Sequence, residues 1–157
     1  MKKERIAVAT LFLLLLVFVS SALSFKLPGF GGPSKLVPAE GFLAIPLEDI
    51  DDGKAHHFKV KSADGVEVTF FVLKSRDGVI RAAIDACDVC YRSGKGYTQK
   101  ADHMVCENCG QRFASEKINE IKGGCNPAPL KRKIEGKNLI IAMADINTNS
   151  WYCEFKK

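Results

Sequence analysis

Six cysteines hold most of the chemistry this chain can do, and five of them fall in one stretch. Cys87 and Cys90 are separated by two residues, Cys106 and Cys109 likewise, and fifteen residues lie between the pairs. Another fifteen lead to Cys125, and Cys153 stands near the end. Two residues between cysteines let both sulfurs of a tight turn face one metal while backbone amides turn toward the thiolates. Two such knuckles supply four thiolates, Cys87, Cys90, Cys106 and Cys109, for a tetrahedral shell. Gly110, directly after the second pair, suits the left-handed turn that lets the chain clear the metal.

The chemistry of those ligands is either a structural zinc or an iron-sulfur centre, with a two-iron cluster favoured. Zinc would need only the two pairs and would leave Cys125 unexplained. Cys125 sits in Gly123-Gly124-Cys125-Asn126-Pro127-Ala128-Pro129-Leu130, permissive at its glycine end and stiff at its proline end. Such a loop can fold over a metal centre and exclude water, so Cys125 is expected to bear on the cofactor as an adjacent thiol. Three disulfides are the competing use of six cysteines in an oxidising compartment. Bridges inside two-residue spacings, however, close tiny loops and add little stability. Haem attachment is excluded, because Tyr91 and Gly110 stand where a histidine would follow each pair. No βαβ pattern surrounds either pair, which disfavours a thioredoxin-type redox motif.

The remaining candidates are weaker. His56 and His57 are neighbours on an expected strand, so they point to opposite faces and cannot share a site. His103, three residues before Cys106, is within sequence reach of an outer-shell role and reads more simply as a solvated loop histidine. Lys131-Arg132-Lys133 reads as part of a solvated strand. No serine-nucleophile motif, phosphate loop or paired-carboxylate arrangement stands out, and the chain reads as non-enzymatic.

The elements that must position the cysteines read as short strands. Phe42–Leu47, His57–Lys61, Val66–Leu73 and Val79–Asp85 are apolar or alternating runs, with Ala63-Asp64-Gly65 and Arg76-Asp77-Gly78 as turns. After the cysteines come Leu130–Ile134, a turn over residues 135–138, and Leu139–Met143. Alternation at Trp151, Cys153 and Phe155 predicts a last edge strand, and Ser115–Ile121 a helical turn or two. The expected body, residues 41–157, is a small, mostly β, antiparallel domain with two cysteine knuckles.

Two segments precede it. Lys2-Lys3-Glu4-Arg5 leads into Ile6–Leu23, eighteen uncharged residues. As a helix these span about 27 Å, close to a bilayer's hydrocarbon thickness. Residues 1–23 therefore read as a membrane anchor, with a cleaved signal as the alternative because Ala22-Leu23-Ser24 offers a small-x-small site. Either reading places the body outside the cytoplasm, as a single-pass membrane protein or a secreted one. Residues 24–40, rich in proline and glycine, read as a tether. Residues 1–24 carry +2 of the net +5, and the small remaining excess is scattered, which argues against a nucleic-acid groove.

Three motifs together resemble the membrane iron-sulfur proteins called FtrD-like. They are Asp85-Ala86-Cys87-Asp88-Val89-Cys90-Tyr91, Val105-Cys106-Glu107-Asn108-Cys109-Gly110-Gln111-Arg112-Phe113, and the loop from Gly123 to Leu130. The resemblance runs from about Phe42 to Asp145. It implies an extracytoplasmic, membrane-attached electron-transfer or metal-handling domain linked to iron uptake, with an iron permease or a membrane redox partner. A zinc-stabilised, non-redox binding module is the alternative. Cys106-x-x-Cys109-Gly110-x-x-Phe113 is also similar to the second half of a Rieske motif, with cysteine in the histidine's place. This resemblance implies a Rieske-like β domain, with a zinc-ribbon-like one as the alternative because Cys87-x-x-Cys90 is one residue longer than the first half of that motif. An all-thiolate shell of that kind favours a lower potential than histidine ligation.

Overall fold

The computed structural model describes residues 32–156. The expected membrane helix or signal, Ile6–Leu23, lies outside the described residues. Among those described, no helix is long and apolar enough to cross a membrane.

The described chain is mostly β and forms three small sheets. The largest has strand order β1-β3-β4-β5 and comprises β1 (Ser34–Lys35), β3 (His56–Lys61), β4 (Glu67–Lys74) and β5 (Ile80–Ile84). A second has the order β2-β10-β9, from β2 (Phe42–Pro46), β10 (Asn138–Ala142) and β9 (Lys133–Glu135). The third is a meander of β6 (Tyr97–Lys100), β7 (His103–Cys106) and β8 (Arg112–Ala114). Every pairing is antiparallel except β1 with β3. β1 lies within the proline-glycine stretch, where the backbone pairs although both its side chains are exposed.

The two hairpins of the large sheet share one turn chemistry, Ser-x-Asp-Gly. Ser62 N donates to Val66 O at 2.9 Å, and Ser75 N donates to Val79 O at 2.9 Å. Each serine hydroxyl bonds the aspartate two residues on, Asp64 and Asp77, so side chains as well as backbone close the turn.

β4 explains why the large sheet sits at the centre. Its residues Val68 to Leu73 are all buried, so both faces are covered. Side chains alternate across a strand, and the two faces meet different cores. Val68, Phe70 and Val72 join Leu43, Ile45, Leu139 and Ile141 of the second sheet in an aliphatic core. Phe71 and Leu73 face the other way, toward Tyr97, Met104, Ile118 and the cysteines. Each such apolar side chain contributes about 1.5–3 kcal/mol when fully buried.

Two expectations at the C-terminal end are corrected. Met143 does not end the strand but opens a short helix, α1 (Met143–Thr148), where its N–H reaches Gly41 O at 2.8 Å. Trp151, Cys153 and Phe155 form no edge strand; Ser150–Cys153 is a 3-10 turn. That winding brings Trp151, Tyr152 and Phe155 around the Tyr91 ring, at centroid distances of 5.1, 6.2 and 5.8 Å. Aromatic packing thus outweighs the alternation. Of Lys131-Arg132-Lys133 only Lys133 is in a strand, and the Arg132 Nε–H is held by Ile80 O at 2.6 Å. Ser115–Lys117 is a single 3-10 turn.

Candidate metal centre

Three loops carry the cysteines, and each is positioned by a different part of the fold. The first knuckle leaves the end of β5. Cys90 N donates to Cys87 Sγ at 3.3 Å, and Tyr91 N donates to Cys87 O at 3.1 Å, so one backbone amide faces the first sulfur and a second closes the turn.

The second knuckle is the turn between β7 and β8. Cys106 ends β7, Cys106 N donates to Gln111 O at 2.9 Å, and Gly110 N donates to Cys106 O at 2.8 Å. Gly110 has φ +74° with open space where a Cβ would be, so conformation is what demands glycine there.

The third loop is stitched to the free edge of β5. Ile84 N donates to Ala128 O at 2.8 Å, Ala128 N to Ala86 O at 3.0 Å, and Leu130 N to Ala82 O at 3.1 Å. This pairing of Ala128 with Ala86 sets Cys125 beside Cys87.

The result is one cluster of five thiols. Cys87, Cys90 and Cys125 have their sulfurs within 4.8 Å of one another, and so do Cys90, Cys106 and Cys109. Cys90 belongs to both triads, and neither triad takes in a fourth sulfur within that limit. Cys87, Cys90 and Cys106 are buried, Cys125 is half-buried and Cys109 is exposed. All six thiols of the chain are unbridged. Cys153 sits apart in the aliphatic core, its Sγ 3.7 Å from Thr69 O.

The donor set fits a soft metal or an iron-sulfur group: both triads consist of thiols alone. The sulfurs also have hydrogen-bond donors, since Asn108 Nδ2 lies 3.3 Å from Cys90 Sγ. A single tetrahedral four-thiolate ion would hold all four sulfurs about 3.8 Å apart, given metal–sulfur bonds of about 2.3 Å. Two triads that share one corner spread the ligands over a larger volume than that.

Proximity sets the protonation of the metal-free thiols. Asn108 favours the Cys90 thiolate, but burial and the neighbouring Cys106 and Cys109 thiols outweigh it and push Cys90 up to about 12. Burial, then the Cys109 thiol, pushes Cys125 up to about 11. The Gln111 backbone N–H draws the exposed Cys109 thiol below its ordinary value. A metal must therefore displace protons from Cys90 and Cys125.

The support behind the sulfurs was not legible in the motifs. Tyr97 donates from its hydroxyl to Cys125 O at 2.5 Å, and its backbone N–H donates to Asp85 Oδ1 at 2.7 Å. Asp85 is buried and paired with Lys156. Burial raises its carboxyl above the usual range, against the pull of Lys156 and His57. A Cβ on Gly96 would fall 2.2 Å from the Asp85 carboxylate, so only glycine lets this approach form. The one available signal was an acidic residue closing an apolar strand at Ile84-Asp85.

The histidines lie outside the thiol cluster. His56 pairs with Asp52 at 2.7 Å and His103 with Asp102 at 2.9 Å. His57 turns the other way from His56, its Nε2 3.2 Å from Tyr97 O and 3.8 Å from Asp85 Oδ1.

Comparison with known proteins adds an independent line. No protein with a curated description matches the sequence. Among solved structures, the quaternary ammonium Rieske monooxygenase CntA, in complex with the inhibitor MMV12, is similar at 12% identity and a TM-score of 0.43. That similarity covers 70% of this chain and 31% of the monooxygenase chain, so this chain spans less than a third of that protein's length. The profile of the family described as membrane iron-sulfur containing protein FtrD-like matches residues 50–152, a span that takes in all three cysteine loops and most of both cores. With the cysteines converging as they do, the chain belongs to the family of FtrD-like membrane iron-sulfur containing proteins.

Proposed function

We propose that this chain is an extracytoplasmic, membrane-tethered electron-transfer domain that serves iron uptake. In this reading Cys87, Cys90, Cys106 and Cys109 hold a two-iron cluster. The observation that carries it is the convergence of five thiols in two triads sharing Cys90, wider than a single tetrahedral ion requires. An iron-sulfur group bound there supplies one-electron redox chemistry at a potential lowered by all-thiolate ligation.

The chain's residues do the rest. Phe71, Leu73, Met104 and Ile118 wall the buried side and exclude water from Cys87 and Cys106. Asn108 presents an N–H to sulfur from the exposed turn. Cys109 is the open edge, the side on which a redox partner would gain access. In this reading Ile6–Leu23 is the membrane anchor, as the uncharged run suggests, and the partner is an iron permease, as the resemblance implies. The Rieske-like arrangement is supported by the Cys106-x-x-Cys109-Gly110-x-x-Phe113 turn between β7 and β8.

Anaerobic purification of the full chain tests this, with iron and acid-labile sulfide measured beside absorption and electron paramagnetic resonance spectra. Iron and sulfide in equal amounts, with a signal on reduction, are expected. A colourless protein carrying about one zinc per chain would replace it with the zinc-stabilised module.

A further inference from the structure

We infer that Cys125 binds the centre directly, on the side of Cys87 and Cys90, in place of the exposed Cys109, because a zinc ion or a two-iron cluster has only four positions for thiolate. The Tyr97 hydroxyl is the group that holds Cys125 in place. This rests on the reading of the cysteines as one metal centre, and it is independent of which metal is bound.

Three observations carry the assignment. First, the Cys125 sulfur meets the same 4.8 Å limit toward Cys87 and Cys90 that Cys106 and Cys109 meet toward Cys90. Second, the loop's position is fixed by backbone pairing, because Ala128 is bonded to both Ile84 and Ala86 along the edge of β5. The proline end therefore registers the loop on the same strand that launches Cys87. Third, the last step to the sulfur has its own support. The Tyr97 hydroxyl takes the Cys125 carbonyl at 2.5 Å, while the Tyr97 ring packs against Phe71 and Phe113 at centroid distances of 6.2 and 6.1 Å. Its backbone is fixed in turn by Asp85. A buried tyrosine hydroxyl needs some acceptor. Here the acceptor is the backbone carbonyl of Cys125 itself.

Tyr97 is thus a positioning residue, acting through Cys125. Its loss should leave the fold standing and loosen one ligand. Cys125 itself should count with Cys87 rather than with Cys153.

The test uses the full chain with the metal it carries on purification. Iodoacetamide labelling mapped by mass spectrometry is run on the loaded protein and again after chelation. Cys125 and Cys87 are expected to be protected together and exposed together. Cys125→Ser should lose metal to a chelator about tenfold faster than wild type, in step with Cys87→Ser. Tyr97→Phe should speed both metal loss and Cys125 labelling in the loaded protein, with little change in the melting temperature of the metal-free protein. Equal loss of melting temperature in loaded and metal-free Tyr97→Phe, with metal retention unmoved, would reduce Tyr97 to a packing residue and overturn its role. Cys125 labelled at one rate with and without metal, while Cys87 is protected, would overturn the ligand assignment. Should Cys125→Ser fail to fold, the wild-type labelling pattern decides alone. Wild type holding zinc with Cys125 protected would sink the cluster and keep this assignment. Iron and sulfide with Cys125 freely labelled would do the reverse.

Discussion

The two faces of β4 open onto two different kinds of core. On one side Val68, Phe70 and Val72 meet Leu43, Ile45, Leu139 and Ile141, hydrocarbon against hydrocarbon. On the other, Phe71 and Leu73 meet Tyr97, Met104 and Ile118, and the layer is completed by Cys87, Cys90 and Cys106. The first core is self-sufficient. The second is built from short strands of three or four residues and closes over thiols crowded against one another. A strand shared between them lets one side supply the stability that the other side spends on a site.

The sharpest way to break that contrast is to remove the metal. Structural metal sites of this kind contribute on the order of 10 kcal/mol. Chelation should strip hydrogen-exchange protection from β6, β7, β8 and the loop around Cys125, while β3, β4, β5 and β10 keep theirs. Uniform loss of protection would mean the two cores are a single cooperative unit.

Next in size is Phe70→Ala, expected to cost about 3–5 kcal/mol as a cavity in the aliphatic core. Urea unfolding should give the same cost with and without metal, because Phe70 faces away from the cysteines. A cost that depends on loading would place the boundary between the cores elsewhere.

Cys153→Ala is smaller. It deletes one buried sulfur from the aliphatic core, for about 1 kcal/mol, and should leave metal content at the wild-type level. A drop in bound metal would tie the sixth thiol to the centre after all. Smallest in stability is Asn108→Ala, on an exposed turn, at a few tenths of a kcal/mol. Its signature is elsewhere: with the N–H to Cys90 Sγ gone, the reduced centre loses a stabilising donor and the potential should fall. Protein-film voltammetry would read that shift, and an unmoved potential would remove Asn108 from the site.

The part of this arrangement legible beforehand was what depends on short-range pattern. Asp-Gly marked both hairpin turns, and alternation or β-branching marked β2, β3, β4, β5 and β10. The meander around the second knuckle was not visible, because Tyr97–Lys100 and His103–Cys106 show little alternation and are ordered by pairing with each other. The 150s misled for the opposite reason. A clean alternation existed, but Tyr91, some sixty residues away in sequence, offered those aromatics a better partner than a sheet edge. The four knuckle cysteines stood out by spacing. Cys125 stood out only as a cysteine in a stiff loop, since its reach to Cys87 depends on Ala128 meeting Ala86. Tyr97 and Lys156 carry no motif, and Asp85 stood in one only as a neighbour of Cys87; their roles exist only in three dimensions.

The chain joins the large sheet through β1, just two residues long and parallel to β3, with Leu36 N bonded to Lys59 O at 2.8 Å beyond it. In mechanical terms this is the first seam to bear any pull arriving from the residues before Ser34. A seam so short should peel away at low force, leaving β3, β4 and β5 under no load. The junction would then work as a fuse: any such pull would be taken up by a few backbone hydrogen bonds before it reached β5, the strand that launches Cys87.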